Sequence, residues 1–391
     1  MRSTRCAIST LCLVATLLLG AGLAQAVEFG GFGSYISGFK ASVPVGGAAT
    51  GAAFDASGQV LYYVSETTDD VRALIFAPDF MSGTTKSIGL GDLGDSNPSD
   101  VVVDANGDLY IPYDYTAGLR KITDPMGAAT ASVVFAGNAF MGGTGDDDPF
   151  GAEIAPPSFN GSMAKPGDIL LNDKGLDKNE TNAIESVTPD GSGYKTMATW
   201  TTLPNCTMAD PSPENMAADQ KNGVVYMAPV QMTSTVDGKP LTQIFTLSPE
   251  GVLTAHEITL PSLTGDLLDN VQGMAVNPLD GSIWVVDDDN YPSATYVPDD
   301  ALYRIDPVTF VATLEIDFDV EAGNTTQGQG LPNFNYSIAF TPDGRYLVIG
   351  DTDANSNTAN TMMVFGVVPE PTTVLLLAIG GCLLGARRRR S

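Results

Sequence analysis

The feature that most limits what this 391-residue chain can fold into is a unit that returns six times: a short apolar strand, a turn with Asp, Asn or Pro and a glycine, and a second strand rich in Val, Ile, Leu and Tyr. It reads GAAFDASGQVLYYVS from Gly51, SDVVVDANGDLYIPY from Ser99 and, more loosely, GSMAKPGDILLND from Gly161. It returns as ENMAADQKNGVVYMAP from Glu214, VQGMAVNPLDGSIWVVD from Val271 and NYSIAFTPDGRYLVIGD from Asn335. The turn glycines Gly58, Gly107, Gly167, Gly223, Gly281 and Gly344 recur at intervals of roughly 50–60 residues. Within the units come further hairpins, such as QIFTLSPEGVLTAHEI from Gln243 and ALYRIDPVTFVATLEI from Ala301. Two hairpins make a four-stranded antiparallel sheet, and helical periodicity is almost absent. Such a sheet has two apolar faces and cannot bury both alone, so the units pack around an axis and close into a ring. The expected fold is therefore all-β, a β-propeller of six blades. Seven is the alternative, because Gly118–Phe159 has room for a divergent extra blade. Phe32–Phe39 is expected to pair with Thr361–Val368 and close the ring.

The two ends stand apart from this body. Arg2 and Arg5 precede the apolar stretch Leu11–Leu23, and the small residues Ala24 and Ala26 sit at signal-peptidase spacing. We expect a signal peptide over 1–26, cleaved by signal peptidase after Ala26, a propeller over 27–366 and a sorting tail over 367–391. The tail carries Pro369, Glu370 and Pro371, a short apolar run from Val374 to Ala386 that is expected to be helical, and then Arg387, Arg388, Arg389 and Arg390. The run is shorter than the roughly 20 residues that cross a bilayer comfortably. The arginines would stay cytoplasmic and leave the body outside. This triplet, run and cluster, in this order at the extreme C-terminus, resembles the PEP-CTERM sorting signal. The resemblance implies processing near the triplet by an exosortase-type membrane protease, with transient inner-membrane tethering before passage to the cell surface or extracellular matrix. It also implies glycosylation of the mature protein and an extracellular polysaccharide as a partner.

Charge narrows the function classes. The chain has 46 acidic against 19 basic residues, a formal net charge of −27, and both end segments are basic, so the body is more acidic still. Nucleic-acid binding is disfavoured, because a phosphate backbone demands a Lys/Arg surface, and so is adhesion to anionic lipid. Divalent cations are the natural partners of the excess Asp, which also suits tight turns and oxygen-ligand sites; the alternative is that the charge keeps the protein soluble in a salty or polymer-rich exterior. Three of the four cysteines lie in the end segments, so Cys206 has no partner and there is no disulfide framework. One histidine, His256, cannot build a multi-histidine zinc site. No G-x-S-x-G elbow accompanies it, and the alternation of LTAHEITL places it at an exposed or half-exposed strand position.

The strand–turn units, FDASGQVLYYVS and FTPDGRYLVIGD among them, resemble NHL and gluconolactonase-like (SMP-30-type) propellers, and VQGMAVNPLDGSIWVVDDDN with ALYRIDP is also similar to propellers of the phytase-like esterase kind. In gluconolactonase-like propellers, acidic and amide residues just before the inner strands converge on one calcium ion in the central channel. Asp100, Glu214 and Asn215 resemble that pattern, whereas Gln272 and Tyr336 depart from it. A second set, Asp114, Asp173, Asp287 or Asp288, and Asp351, follows the next strand and is expected to ring the opposite end. The acidic loops around Asp287 and Asp288 and at Asp146–Asp148 are candidate calcium loops. Asp104–Asp108 mimics the start of an EF-hand, but Tyr115 stands where the bidentate Glu is required, so a β-turn is expected. Tyr291 and Tyr296 could stack on a sugar; the alternative is that they are ordinary exposed loop tyrosines. The leading expectation is an exported, non-catalytic surface or matrix protein. The alternative is a calcium-dependent lactonase- or phosphoesterase-like hydrolase, and a third class is a scaffold in an extracellular polymer.

Overall fold

The computed structural model describes residues 32–47, 49–65, 68–88, 98–113, 118–135, 149–173, 183–199, 206–208, 215–228, 232–234, 243–260, 271–288, 300–318, 337–351 and 360–368. These form six four-stranded antiparallel sheets, the blades of a propeller, and a small two-stranded sheet of Cys206–Met208 with Met232–Ser234. From inner to outer strand, blade 1 is Gly51–Phe54, Val60–Ser65, Asp70–Phe76 and Gly83–Ser87. Blade 2 is Val102–Val103, Leu109–Tyr113, Gly118–Thr123 and Thr130–Phe135. Blade 3 is Pro149–Ile154, Ile169–Asp173, Ala183–Val187 and Tyr194–Thr199, and blade 4 is Asn215–Asp219, Val224–Ala228, Gln243–Leu247 and Leu253–Glu257. Blade 5 is Val271–Val276, Ile283–Asp288, Asp300–Ile305 and Ala312–Asp317. Blade 6 takes Ile338–Phe340, Tyr346–Asp351 and Thr361–Val367 from the end of the chain and its outer strand, Ile36–Pro44, from the beginning. No helix occurs among the described residues.

The middle strands are apolar on both faces because each blade is sandwiched between two others. In Val60–Ser65, Leu61 and Tyr63 pack toward blade 6 while Tyr62 and Val64 pack toward blade 2. The same division gives one apolar cluster at each of the six blade boundaries. Trp284, fully buried, meets Phe340 edge-on at 5.6 Å between blades 5 and 6. All six turn glycines adopt left-handed backbone, with φ from +63° at Gly344 to +83° at Gly107, which explains why glycine marks each first hairpin.

The structure adjusts the sequence reading in three places. The stretch from Gly118 supplies the two outer strands of blade 2 and the inner strand of blade 3, so it holds no seventh blade. The inner strand of blade 3 is Pro149–Ile154, not the segment from Gly161. Residues 155–168 instead form a long first connection that carries its own turns, with Phe159 N–H bonded to Pro156 O and Gly161 N–H to Ala164 O. Ring closure uses Ile36–Pro44 against Thr361–Val367, with Ile36 opposite Val367 and Pro44 opposite Thr361.

Candidate functional site

The inner strands of all six blades enclose a central cavity of about 900 Å³, lined by Ala52–Phe54, Val101–Val103, Ala152–Ile154, Met216–Ala218, Met274–Val276 and Ile338–Phe340. Equivalent positions can be read from the first hairpins, whose leading residues are Asp55, Asp104, Ala155, Asp219, Asn277 and Thr341. Two residues before them stand Ala53, Val102, Glu153, Ala217, Ala275 and Ala339. Five small apolar residues suit the crowding where six strands converge. Glu153 is the exception, a long acid at a position that faces the next blade.

Its carboxylate bridges that boundary. Glu153 Oε2 accepts the Ala218 N–H of blade 4 at 3.0 Å, and Oε1 accepts the Ile154 N–H at 2.8 Å. Gln220 lies beside it and donates from Nε2 to Ile154 O at 2.7 Å. Two positions before Glu153 in the register stand Gly51, Asp100, Gly151, Asn215, Gly273 and Ser337. Asp100 bridges blades 2 and 3, with Oδ2 accepting the Ala152 N–H at 2.9 Å and Oδ1 the Val101 N–H at 2.7 Å. Asn215 bridges blades 4 and 5, its Nδ2 donating to Val271 O at 2.6 Å. Neutral staples continue the series: Thr50 Oγ1 donates to Pro98 O at 3.1 Å and Ser99 Oγ to Pro149 O at 2.9 Å.

Burial deep in the ring raises both carboxyls, each pushed up to about 7 against its backbone hydrogen bonds, and Asp100 adds repulsion to Glu153. Each keeps part of its surface open to the channel, so channel water reaches it. At neutral pH the pair is poised between charged and neutral forms.

The other candidates fall as follows. Antiparallel return sets Asp287 opposite Val271 and Asp173 opposite Pro149. Asp173 and Asp287 of the second acidic set therefore share the end where the inner strands begin, beside Asp100 and Asn215, instead of ringing the opposite one. Asp287 and Gln272 are buried there. Glu214, Tyr336, Asp114, Asp146–Asp148, Tyr291, Tyr296, Ala24, Ala26, Pro369, Glu370, Pro371 and Arg387–Arg390 lie outside the described residues, as do the side chains of Asp288, Asp173 and Asp351. Among the described residues, no three His, Cys, Asp or Glu side chains gather closely enough to hold a metal. Calcium takes six to eight oxygens; of the described candidates, Asp100 and Glu153 present their oxygens to backbone N–H groups, and Asn215 turns its amide nitrogen to a carbonyl.

Asp104 forms the expected turn, its Oδ1 accepting from Asn106 and Asp108 N–H groups at 2.8 and 2.9 Å. Turns of this kind recur at Asp55, Asp219, Asp306 and Asp343. Asp190 is the strongest case. The Ser192 N–H, then the Ser192 and Thr188 hydroxyls, hold its carboxyl down at about 2. His256 is half-buried, with Nε2 3.0 Å from Thr246 Oγ1 and its ring stacked on Phe310 at 4.0 Å, so it packs blade 4 against blade 5.

Glu153 was missed in the sequence because the inner strand of its blade was sought at Gly161. The run PFGAEI ahead of a turn-rich stretch is the signal that would have found it.

Residues 367–390 match the PEP-CTERM protein-sorting motif. No curated protein sequence matches the chain. Among solved structures, the chain is similar to a gluconolactonase from Xanthomonas campestris, with a TM-score of 0.51 and 14% identity over 88% of this chain and 94% of that one. It is similar to an auxiliary nutrient binding protein from Bacteroides thetaiotaomicron, with a TM-score of 0.52 and 14% identity over 83% and 70%. A PQQ-bound aldose sugar dehydrogenase from Streptomyces coelicolor gives a TM-score of 0.51 and 12% identity over 85% and 97%. At such identities the likeness is one of fold, and the three proteins differ in what they do. The chain is a six-bladed β-propeller that ends in a PEP-CTERM sorting motif.

Proposed function

We propose that this is an exported propeller, held briefly at the inner membrane by residues 367–391, processed by an exosortase-type protease, and active at the cell surface or in the extracellular matrix by binding rather than catalysis. The sorting motif supports export and processing. The observation that carries the non-catalytic reading is the use made of the channel acids. Asp100 and Glu153 hold neighbouring blades together through backbone N–H groups, and among the described residues no histidine lines the channel with them. An extracellular polysaccharide is the partner proposed for the mature protein.

The test has two arms. Replacing Pro369, Glu370 and Pro371 with alanine should leave an unprocessed, membrane-held chain; unchanged release would sink the sorting reading. The released protein, screened with lactones and phosphoesters with and without calcium, should show no turnover. Calcium-dependent turnover lost in Asp100→Asn would overturn the non-catalytic reading in favour of a hydrolase.

A further inference from the structure

The two ends of the blades carry different connections. At one end lie the connections between first and second strands, most of them short turns such as 55–59 and 104–108 and one the longer 155–168 of blade 3, and the turns between third and fourth strands, at 77–82, 124–129, 188–193, 248–252 and 306–311. At the other end the second strands finish and the third begin, and the outer strand of one blade gives way to the inner strand of the next. Asp100, Asn215 and Asp287 sit at that second end, where the inner strands begin.

Blade 6 has no turn between its third and fourth strands, because the chain begins and ends there. Ile36 pairs with Val367, and Val368 N–H donates to Tyr35 O at 2.8 Å. Val367 N–H donates to Arg345 O at 2.8 Å, which ties the exit point to the first hairpin of the same blade. The sorting tail therefore leaves from the turn end, with Val368 alone between the last strand and Pro369.

We infer that, while the tail holds it, the propeller stands with its turn end toward the membrane and presents the opposite end, where the inner strands begin beside Asp100 and Asn215, away from it. This rests on the reading of 367–391 as a membrane-held tail. Reach decides the matter. Residues 368–373 separate the strand from the apolar run and span at most about 20 Å fully extended. A strand such as Tyr346–Asp351 is itself roughly 20 Å long. The tether is too short to pass along a blade and around its far end, so the body can tilt but cannot turn over. The turn end also carries Asp55, Asp104, Asp190, Glu250, Asp280 and Asp343 against Lys165, Lys221 and Arg345, an acidic excess that anionic lipid repels. The tail is then the whole of the attachment, and a cut near Pro369 frees the protein.

Energy transfer to the bilayer tests the orientation. The full mature chain, with Cys206 and Cys382 changed to Ser, is placed in phosphatidylcholine vesicles that contain acceptor-labelled lipid. A donor dye is attached at Val308→Cys or Glu250→Cys, both exposed on third-to-fourth strand turns, or at Thr68→Cys, exposed at the other end of blade 1. Strong transfer from 308 and 250, with most of it lost at 68, is expected. Equal or reversed transfer from a vesicle-bound chain overturns the orientation and leaves the tail reading intact. A chain that does not associate with vesicles removes the tail reading and the orientation together.

Discussion

Glu153 Oε2 accepts the Ala218 N–H at 3.0 Å, so a side chain of blade 3 completes the hydrogen bonding of the inner strand of blade 4. With Asp100 and Ala152 across the preceding boundary, it makes a pair of carboxyl staples on one arc of the channel, where Thr50 and Asn215 join other boundaries through a hydroxyl and an amide.

Removing the staple should be costly because it leaves a donor unpaired. Glu153→Ala strands the Ala218 N–H, and the expected loss is roughly 1–3 kcal/mol. Glu153→Gln keeps an acceptor and should lose much less. Urea unfolding at pH 5, where the carboxyls are neutral, separates the two. Equal losses would mean that the bond to Ala218 contributes nothing of its own.

The same pair makes stability fall as pH rises. Unfolded Asp and Glu titrate near 3.8 and 4.5, whereas Asp100 and Glu153 in the fold titrate near 7, chiefly because of burial. Between those values the folded chain holds protons that the unfolded chain has lost. Their contribution is complete below about pH 4 and is lost as pH climbs through about 7. At about 1.4 kcal/mol per unit, and with channel water moderating the effect, the loss should be on the order of 2–4 kcal/mol. His256 works the other way: burial lowers it from 6.5, so its contribution is complete above that value and is lost as pH falls below it through the lower value of the folded chain. Urea midpoints from pH 5 to 8 should therefore be compared between the wild type and Asp100→Asn, Glu153→Gln. Their difference cancels His256, and a difference independent of pH would show that the two acids are not raised.

Much of this was legible because the positions concerned have few chemical solutions. A first hairpin with left-handed backbone demands glycine, so Gly58 through Gly344 counted the blades correctly. Asp100 and Asn215 stood out because they occupy one register of the repeat, although the repeat alone could not show that their side chains turn toward the next blade. The failure at blade 3 was one of spacing. Gly167 is a true turn glycine, but its inner strand lies upstream of a connection with turns of its own, which hid Glu153. The end of the ring at which Asp287 falls was misjudged for a simpler reason: a second strand returns antiparallel, so its last residue ends beside the first residue of the inner strand.

Glycine serves two different purposes in the repeat, and substitution should tell them apart. A Cβ on Gly51 would run into the backbone and side chain of Asp100 across the boundary between blades 1 and 2, where neither can withdraw. Gly51→Ala should cost about 2–3 kcal/mol by overpacking. At Gly107, with φ +83°, a Cβ meets open space, so Gly107→Ala should cost about 1 kcal/mol from backbone conformation alone. Thermal melts of the two variants give the order, and the reverse order would deny the close approach of blades 1 and 2.

The segment before the closing strand is held by one buried acid. Glu315, 1% exposed on the outer strand of blade 5, accepts the Tyr35 N–H at 3.2 Å. Arg304 Nε lies 3.5 Å from Glu315 Oε1, and its guanidinium covers the Tyr35 ring at 3.6 Å. The Gly33 N–H donates to the carbonyl of Glu315 at 2.6 Å. Burial raises the Glu315 carboxyl even with the arginine beside it. Arg304→Ala would leave that acid buried without its cation and strip the cover from Tyr35, a loss of about 3 kcal/mol. The double variant Arg304→Leu, Glu315→Leu removes the charge together with its partner and should recover part of that loss. Urea midpoints measure the difference, and limited proteolysis at Phe32–Ile36 reports whether the segment has come away. If the double variant is as unstable as Arg304→Ala and its N-terminal segment is cut as fast, the segment depends on the Glu315 carboxylate itself, through its bond to Tyr35, and not on charge balance.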